Sequence, residues 1–186
     1  MYAIGGSPCA GKSSIARLIA ARHGLNHFEC DAGTDARLAR MGVRTEEAGQ
    51  RLARPPRQQA DREIEFYRAQ FAFLLAELPA TGLAEGADLM PELLHGAGVP
   101  MDRAIWIVPT PEFQRRHYAG REWVAPYLKD CADPAQAFEN WMQRDILFAR
   151  YISRTAADLG GTVLIVDGTR TIEDNAHVVE RHFGLS

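Results

Sequence analysis

The 186-residue chain carries 21 lysines and arginines against 24 aspartates and glutamates; 46% of its residues are hydrophobic and 24% charged. That balance excludes a disordered chain and a collagen repeat, and it fits about one globular domain. A chain of this size buries roughly 70% of its unfolded surface, enough for a core without disulfides or structural metal.

The net charge of −3 is unevenly spread. Residues 37–57 hold Arg37, Arg40, Arg44, Arg51, Arg54 and Arg57 against Glu46 and Glu47, a local charge of +4 that leaves −7 elsewhere. An acidic chain is disfavoured as a general nucleic-acid or membrane binder, yet such a cluster can hold a small anion or form a solvated helix face. Cys9, Cys30 and Cys131 are odd in number and lack C-x-x-C spacing, so neither a disulfide framework nor a zinc site is expected. Apolar runs such as Phe71–Ala76 fall far short of the ~20 residues that span a bilayer, and the opening residues do not read as a signal peptide. A cytoplasmic protein is expected, with homodimerisation left open.

In chain order, Tyr2–Ile4 reads as a strand ending in Gly5-Gly6, and Lys12–His23 as a helix closed by Gly24. His27–Cys30 is a second short strand ending at Asp31. Residues 34–53 read as one or two short helices, and Pro55-Pro56 is expected to break the chain. From Arg57 to Leu78, Ile64, Tyr67, Phe71, Leu74, Leu75 and Leu78 recur at helical spacing before Pro79. Leu83–Gly86 is a weak strand and Ala104–Val108 a strong one, apolar throughout as a strand buried on both faces should be. A helix is expected over Pro134–Leu159, a buried strand over Val163–Val166 and a last helix over Thr171–His182. Strands alternating with helices predict an α/β fold with a parallel sheet.

Gly6-Ser7-Pro8-Cys9-Ala10-Gly11-Lys12-Ser13 matches G-x-x-x-x-G-K-[ST], directly after a strand and at the opening of a helix. Gly6 and Gly11 permit backbone conformations that turn consecutive N–H groups inward at a helix N-terminus, a cradle for phosphate. Lys12 is expected to reach the β and γ phosphates and the Ser13 hydroxyl to ligate Mg²⁺, with Ser14 just inside the helix. Cys9, near Lys12, reads as an inert filler of the loop, with a lowered thiol pKa as the alternative.

No N-K-x-D guanine motif or L-S-G-G-Q signature is recognisable, which sets GTPases and transporter ATPases behind. The chain resembles the small P-loop kinases, the group that contains nucleoside monophosphate, shikimate and gluconate kinases and chloramphenicol phosphotransferase. The resemblance implies a three-layer fold with a five-stranded parallel sheet, a single domain, acceptor-binding helices over 37–78 and a helical lid over 111–130. It implies Asp31 as the carboxylate facing an acceptor hydroxyl, with a turn residue before Gly33 as the alternative. Glu85, in Leu83-Ala84-Glu85-Gly86, falls where a carboxylate can meet Mg²⁺ or the acceptor, and Asp88 reads as a turn or cap residue. Arg115, Arg116 and Arg121 lie in the lid segment, where guanidinium groups stabilise the charge of a transferring phosphoryl group. Arg144 and Arg150 on the following helix are further candidates. Arg170, in Val166-Asp167-Gly168-Thr169-Arg170-Thr171, borders the expected base site, and Thr169 or Thr171 can cap the last helix.

These residues predict an ATP- and Mg²⁺-dependent kinase acting on a small molecule. The basic segment suggests an anionic acceptor, with Arg37 and Arg44 as its ligands beside Asp31 and Glu85. The alternatives are phosphoryl transfer to a neutral hydroxyl such as that of an antibiotic, to a nucleic-acid 5′-hydroxyl, or a nucleotide-binding regulator without transfer.

Overall fold

A computed structural model describes residues 1–44 and 46–185; Thr45, within the segment expected as short helices, and Ser186 lie outside the described residues. Tyr2–Gly6 (β1), His27–Glu29 (β2), Leu83–Glu85 (β3), Ala104–Pro109 (β4) and Thr162–Val166 (β5) pair in the order β2-β3-β1-β4-β5, all parallel. The helices are Lys12–His23 (α1), Thr34–Met41 (α2), Ala48–Leu52 (α3), Pro56–Glu77 (α4), Pro91–Gly96 (α5), Pro111–Ala119 (α6), Val124–Leu128 (α7), Pro134–Asp158 (α8) and Ile172–Phe183 (α9). The fold is therefore α/β, a five-stranded all-parallel sheet flanked by helices. None of the described helices is long and apolar enough to cross a membrane.

The inner strand β4 shows why the sheet needs both helical layers. Alternate side chains point to opposite faces. Ala104, Trp106 and Val108 join Ile64, Phe71 and Leu74 of α4 and Phe148, Ile152 and Ala156 of α8. Ile105 and Ile107 join Ile15 and Ile19 of α1 and Val179 and Phe183 of α9. The Trp106 indole lies across β1 and donates from Nε1 to the Leu89 carbonyl oxygen at 2.8 Å. Gly5 makes that crossing possible, because a Cβ there would collide with the indole and the same carbonyl.

The structure refines three points. Pro55-Pro56 does break the helical run, between α3 ending at Leu52 and α4, but Pro56 itself opens α4 at its first helical position, where a missing N–H costs nothing, so that helix starts one residue earlier than expected. Val163–Val166 is not a fully buried strand, because β5 is the sheet edge and Ile165 is 61% exposed. The segment between β3 and β4 contains α5, signalled by Pro91 at its start and Glu92 in its first turn.

The order places β1 between β3 and β4, so the turns leaving β1, β2, β3 and β5 gather along the carboxyl edge of the sheet. Open parallel sheets bind ligands at that edge. Gly6–Ser13, Asp31, Glu85–Asp88 and Asp167–Arg170 all lie there.

Candidate active site

The turn after β1 is fixed by backbone geometry. Ser7 N–H donates to the Ile107 carbonyl oxygen at 3.1 Å, continuing the β1–β4 ladder by one residue. Gly6 has φ 123°, and a Cβ there would drive into the Ile107 backbone. Cys9 adopts φ 64°, uncommon for a residue with a side chain, and Gly11 at φ 79° releases the chain into α1. The loop curls around the Lys12 ammonium, which donates from Nζ to the Ser7 carbonyl oxygen at 2.8 Å and leaves Lys12 only 9% exposed.

Several carboxylates act on that ammonium at a distance. Burial lowers the Lys12 pKa, and Glu85, Asp31, Asp88 and Asp145 oppose the shift in that order. Burial raises the Glu85 carboxyl, with Lys12 and then the Ser13 side chain pulling it back. Asp88 is raised to about 6 by burial and by the charge of Asp31, with Arg37 the first opposing influence. The elements thus bring Lys12, Ser13, Asp31 and Glu85 together, and add Asp88. Ser14 stands exposed in the first turn of α1.

The oxygens at this corner suit Mg²⁺. They are hard donors, a hydroxyl and carboxylates, and Asp88 Oδ1 is buried with no hydrogen-bond partner among the described residues. Those residues contain no group of three His, Cys, Asp or Glu arranged to hold a metal by themselves.

The segment expected as a lid contains α6 and α7, and its arginines separate. Arg115 forms a two-pronged pair with Glu139 of α8 at 2.5 and 2.8 Å and, with Gln143, lowers that carboxyl to about 2. Arg116 lies 5.9 Å from the centre of the Phe113 ring, beside Gly168 of the loop after β5. Arg121 reaches the phosphate loop, with Nη2 3.7 Å from Cys9 Sγ, and lies over the rings of Tyr118 and Trp123. Burial raises the Cys9 thiol even though Arg121 and Lys12 pull it down, which goes against the alternative of a lowered pKa beside the lysine.

The loop after β5 holds itself. Asp167 accepts from the Thr169 N–H at 2.9 Å, and Thr171 caps α9 in a reciprocal pair with Asp174. A cavity of about 380 Å³ is lined there by Gly168, Arg170 and Asn175. Arg150, on α8, lines a different groove beside Ile165 and away from the phosphate loop.

Asp31 also lines a second cavity of about 650 Å³, bounded by α2, α3, α4 and α8 and containing Arg44, Arg51, Tyr67 and Arg144. Arg37, expected beside Arg44 as an acceptor ligand, is fully buried instead. Its guanidinium donates to Gln70 Oε1 at 3.1 Å, Glu77 Oε2 at 2.7 Å and the Cys30 carbonyl oxygen at 2.5 Å. Asp88 lies in the turn after β3, as expected, and is buried there, its carboxylate accepting from Gln70 Nε2 at 3.2 Å. Arg144 pairs with Glu63 at 2.9 Å and Asp145 at 2.6 Å. Arg51 was counted in the basic segment without a role, because the five-residue α3 is too short to show a periodic face.

No family model matches the chain, and no curated protein matches it. Solved structures with a similar fold include a "putative kinase" from Chloroflexus aurantiacus J-10-fl, with a TM-score of 0.46 and 18% identity over 97% of this chain and 96% of that one. They also include an uncharacterized protein from Eubacterium ventriosum, with a TM-score of 0.47 and 14% identity over 99% and 97%. At this distance neither likeness bears on the reaction, which must be argued from the residues of this chain.

Proposed function

We propose that the protein is an ATP-dependent kinase that transfers the γ-phosphoryl group to the hydroxyl of a small acceptor. One observation supports this above the others: the Lys12 ammonium, enclosed by the Gly6–Ser13 turn, lies among Glu85, Asp31 and Asp88 where Asp31 opens onto a cavity of about 650 Å³. A phosphate-binding loop and an acceptor-sized cavity that share one carboxylate are the parts phosphoryl transfer requires, since catalysis of this reaction is mainly positioning and charge compensation.

In this reading the amides of the Gly6–Ser13 turn hold the β and γ phosphates, and Lys12 leaves the Ser7 carbonyl to follow the negative charge. Asp31 takes the proton of the acceptor hydroxyl as its oxygen bonds to the γ phosphorus. The bond from that phosphorus to the ADP oxygen breaks, and ADP takes the electron pair. Arg121, already against the loop at Cys9, supplies a guanidinium from the lid. Mg²⁺, when bound, neutralises phosphate charge, and Ser13 and Glu85 are the residues placed to hold it. Arg116 and Arg170 flank the loop after β5, on the side assigned to the base.

The test is ADP release measured with Mg²⁺ and ATP over a panel of hydroxylated metabolites. Acceptor-stimulated release supports a kinase; slow release that no acceptor changes supports a nucleotide-dependent regulator. A mutation separates the roles within the site. Asp31→Asn is expected to lower transfer to the hydroxyl by ~10²- to 10⁴-fold, the usual range for a positioned base, with MgADP affinity measured by calorimetry unchanged. Equal loss of both would make Asp31 a structural residue of its turn.

A further inference from the structure

This inference rests on the kinase reading and concerns the acceptor. The acceptor cavity holds five arginines, and three already have counter-charges. Arg54 and Arg62 share Glu46, and Arg144 pairs with Glu63 and Asp145. Among the described residues Arg44 and Arg51 make no ion pair. Arg44 is exposed to water, which solvates its charge, whereas Arg51 is partly withdrawn. The Arg51 Nε is buried without a hydrogen-bond partner, and the guanidinium lies 5.8 Å from the centre of the Tyr127 ring. Burial and the like charge of Arg144 both lower its pKa, while the carboxylates of Glu63 and Glu46 oppose them at longer range. A withdrawn cation lacking a direct counter-ion is costly, and an anion from solution is what would complete it.

The cavity mixes apolar wall from Leu38, Val43 and Phe66 with charged groups of different kinds. Asp31 acts on Lys12, Glu85 and Asp88, so its end faces the transferring phosphoryl group. Arg51 has Arg144, Glu63 and Glu46 as its charged neighbours, which defines the other end. Tyr67 lines the same cavity as Asp31 and Arg51.

We propose that the acceptor is an alcohol bearing a carboxylate or phosphate group, with its hydroxyl at Asp31 and its anion on Arg51, assisted by Arg44. An acceptor whose reacting group is itself a phosphate would have to set that charge among Asp31, Glu85 and Asp88, where like charges repel it. The reaction balances simply: the alcohol oxygen loses its proton to Asp31 and gains the phosphoryl group, and ADP departs. The product is a phosphate monoester that keeps its original anion.

Binding is tested with MgADP saturating the phosphate loop, so that added anions cannot occupy it. Calorimetry compares glycerate with glycerol, glucose 6-phosphate with glucose, and AMP with adenosine. The anionic member of at least one pair is expected to bind ~10- to 100-fold more tightly, the scale of hydrogen bonds to a charged group. The carboxylate and phosphate arms show which anion is read. Arg51→Met should abolish the preference and Arg51→Lys retain part of it, with melting temperature and MgADP affinity as controls on the fold. Absence of preference in every pair, including absence of binding, overturns the proposal, as does a preference that survives in Arg51→Met. Should Arg51→Met fail to fold, the wild-type pairs decide, together with weakening of the anionic member as salt rises. Rapid ADP release with neutral alcohols would remove the anion requirement and leave the kinase reading standing. Anion binding at Arg51 without any ADP release would do the reverse.

Discussion

Lys12→Met is expected to lower acceptor-dependent turnover by at least ~100-fold, about 2.7 kcal/mol of transition-state stabilisation, in a chain that remains folded. The substitution keeps the apolar stem and removes the one cation enclosed by the loop. Among the described residues the Lys12 ammonium makes a single hydrogen bond, to the Ser7 carbonyl oxygen, and that carbonyl belongs to the same turn. Its loss therefore removes no contact between distant elements. What it does remove is the charge that opposes Glu85, Asp31 and Asp88. Without it, the γ phosphate approaches three carboxylates unaided, so the deficit should appear in single-turnover rate as well as in nucleotide affinity. Circular dichroism and melting temperature establish the fold, and stopped reactions with ATP and acceptor give the rate. Wild-type turnover in a folded variant would remove Lys12 from the transfer step.

The parts of this protein legible in the sequence are those determined locally. Gly6 to Ser13 could be read because its geometry depends on residues within one turn, and the structure places that turn between β1 and α1 as expected. Helix α1 runs from Lys12 to His23 with Gly24 at φ 61° closing it, again from neighbouring residues alone. The buried character of β4 followed from an uninterrupted apolar run. Residues whose surroundings come from far along the chain were harder to read. Arg37 looked like one more cation in a basic segment, yet its partners Gln70, Glu77 and Asp88 lie 33, 40 and 51 residues away. Asp88 was legible as a turn residue but not as a buried one, because neither Arg37 nor Gln70 is near it in sequence. The exposure of Ile165 depends on β5 being an edge, and strand order is not written in any one strand. Arg51 was visible as a charge, but its lack of a counter-ion became apparent only when Glu46 and Glu63 were found with other arginines.

Arg37→Met should cost about 3–5 kcal/mol of stability, the range for breaking a buried ion pair from one side. For a chain of this size that is a fall in melting temperature of roughly 6–20 °C. Arg37 is 0% exposed and joins α2 to the turn at Cys30, to Gln70 and Glu77 of α4, and to Asp88 after β3. Methionine fills much of the stem volume, so the loss is chiefly electrostatic: Asp88 stays buried without its cation and Gln70 Oε1 loses a donor. Glu77 still has Arg40 and suffers less. The deficit should depend on pH. Asp88 has a folded-state pKa of about 6, above its ordinary value of 3.8, so between those values the folded chain holds a proton that the unfolded chain has released. Stability from this group therefore falls as pH rises through that window and levels off above it. Removing Arg37 takes away the first influence that lowers the Asp88 pKa, so the window extends upward and the variant should lose more at pH 8 than at pH 5. Asp88→Asn in the Arg37→Met background should recover part of the loss and flatten the pH response, because the two residues share one network and their effects do not add. Urea midpoints for the four chains at both pH values measure this. A deficit independent of pH, or strictly additive effects, would mean that Arg37 stabilises the fold by packing rather than by compensating Asp88.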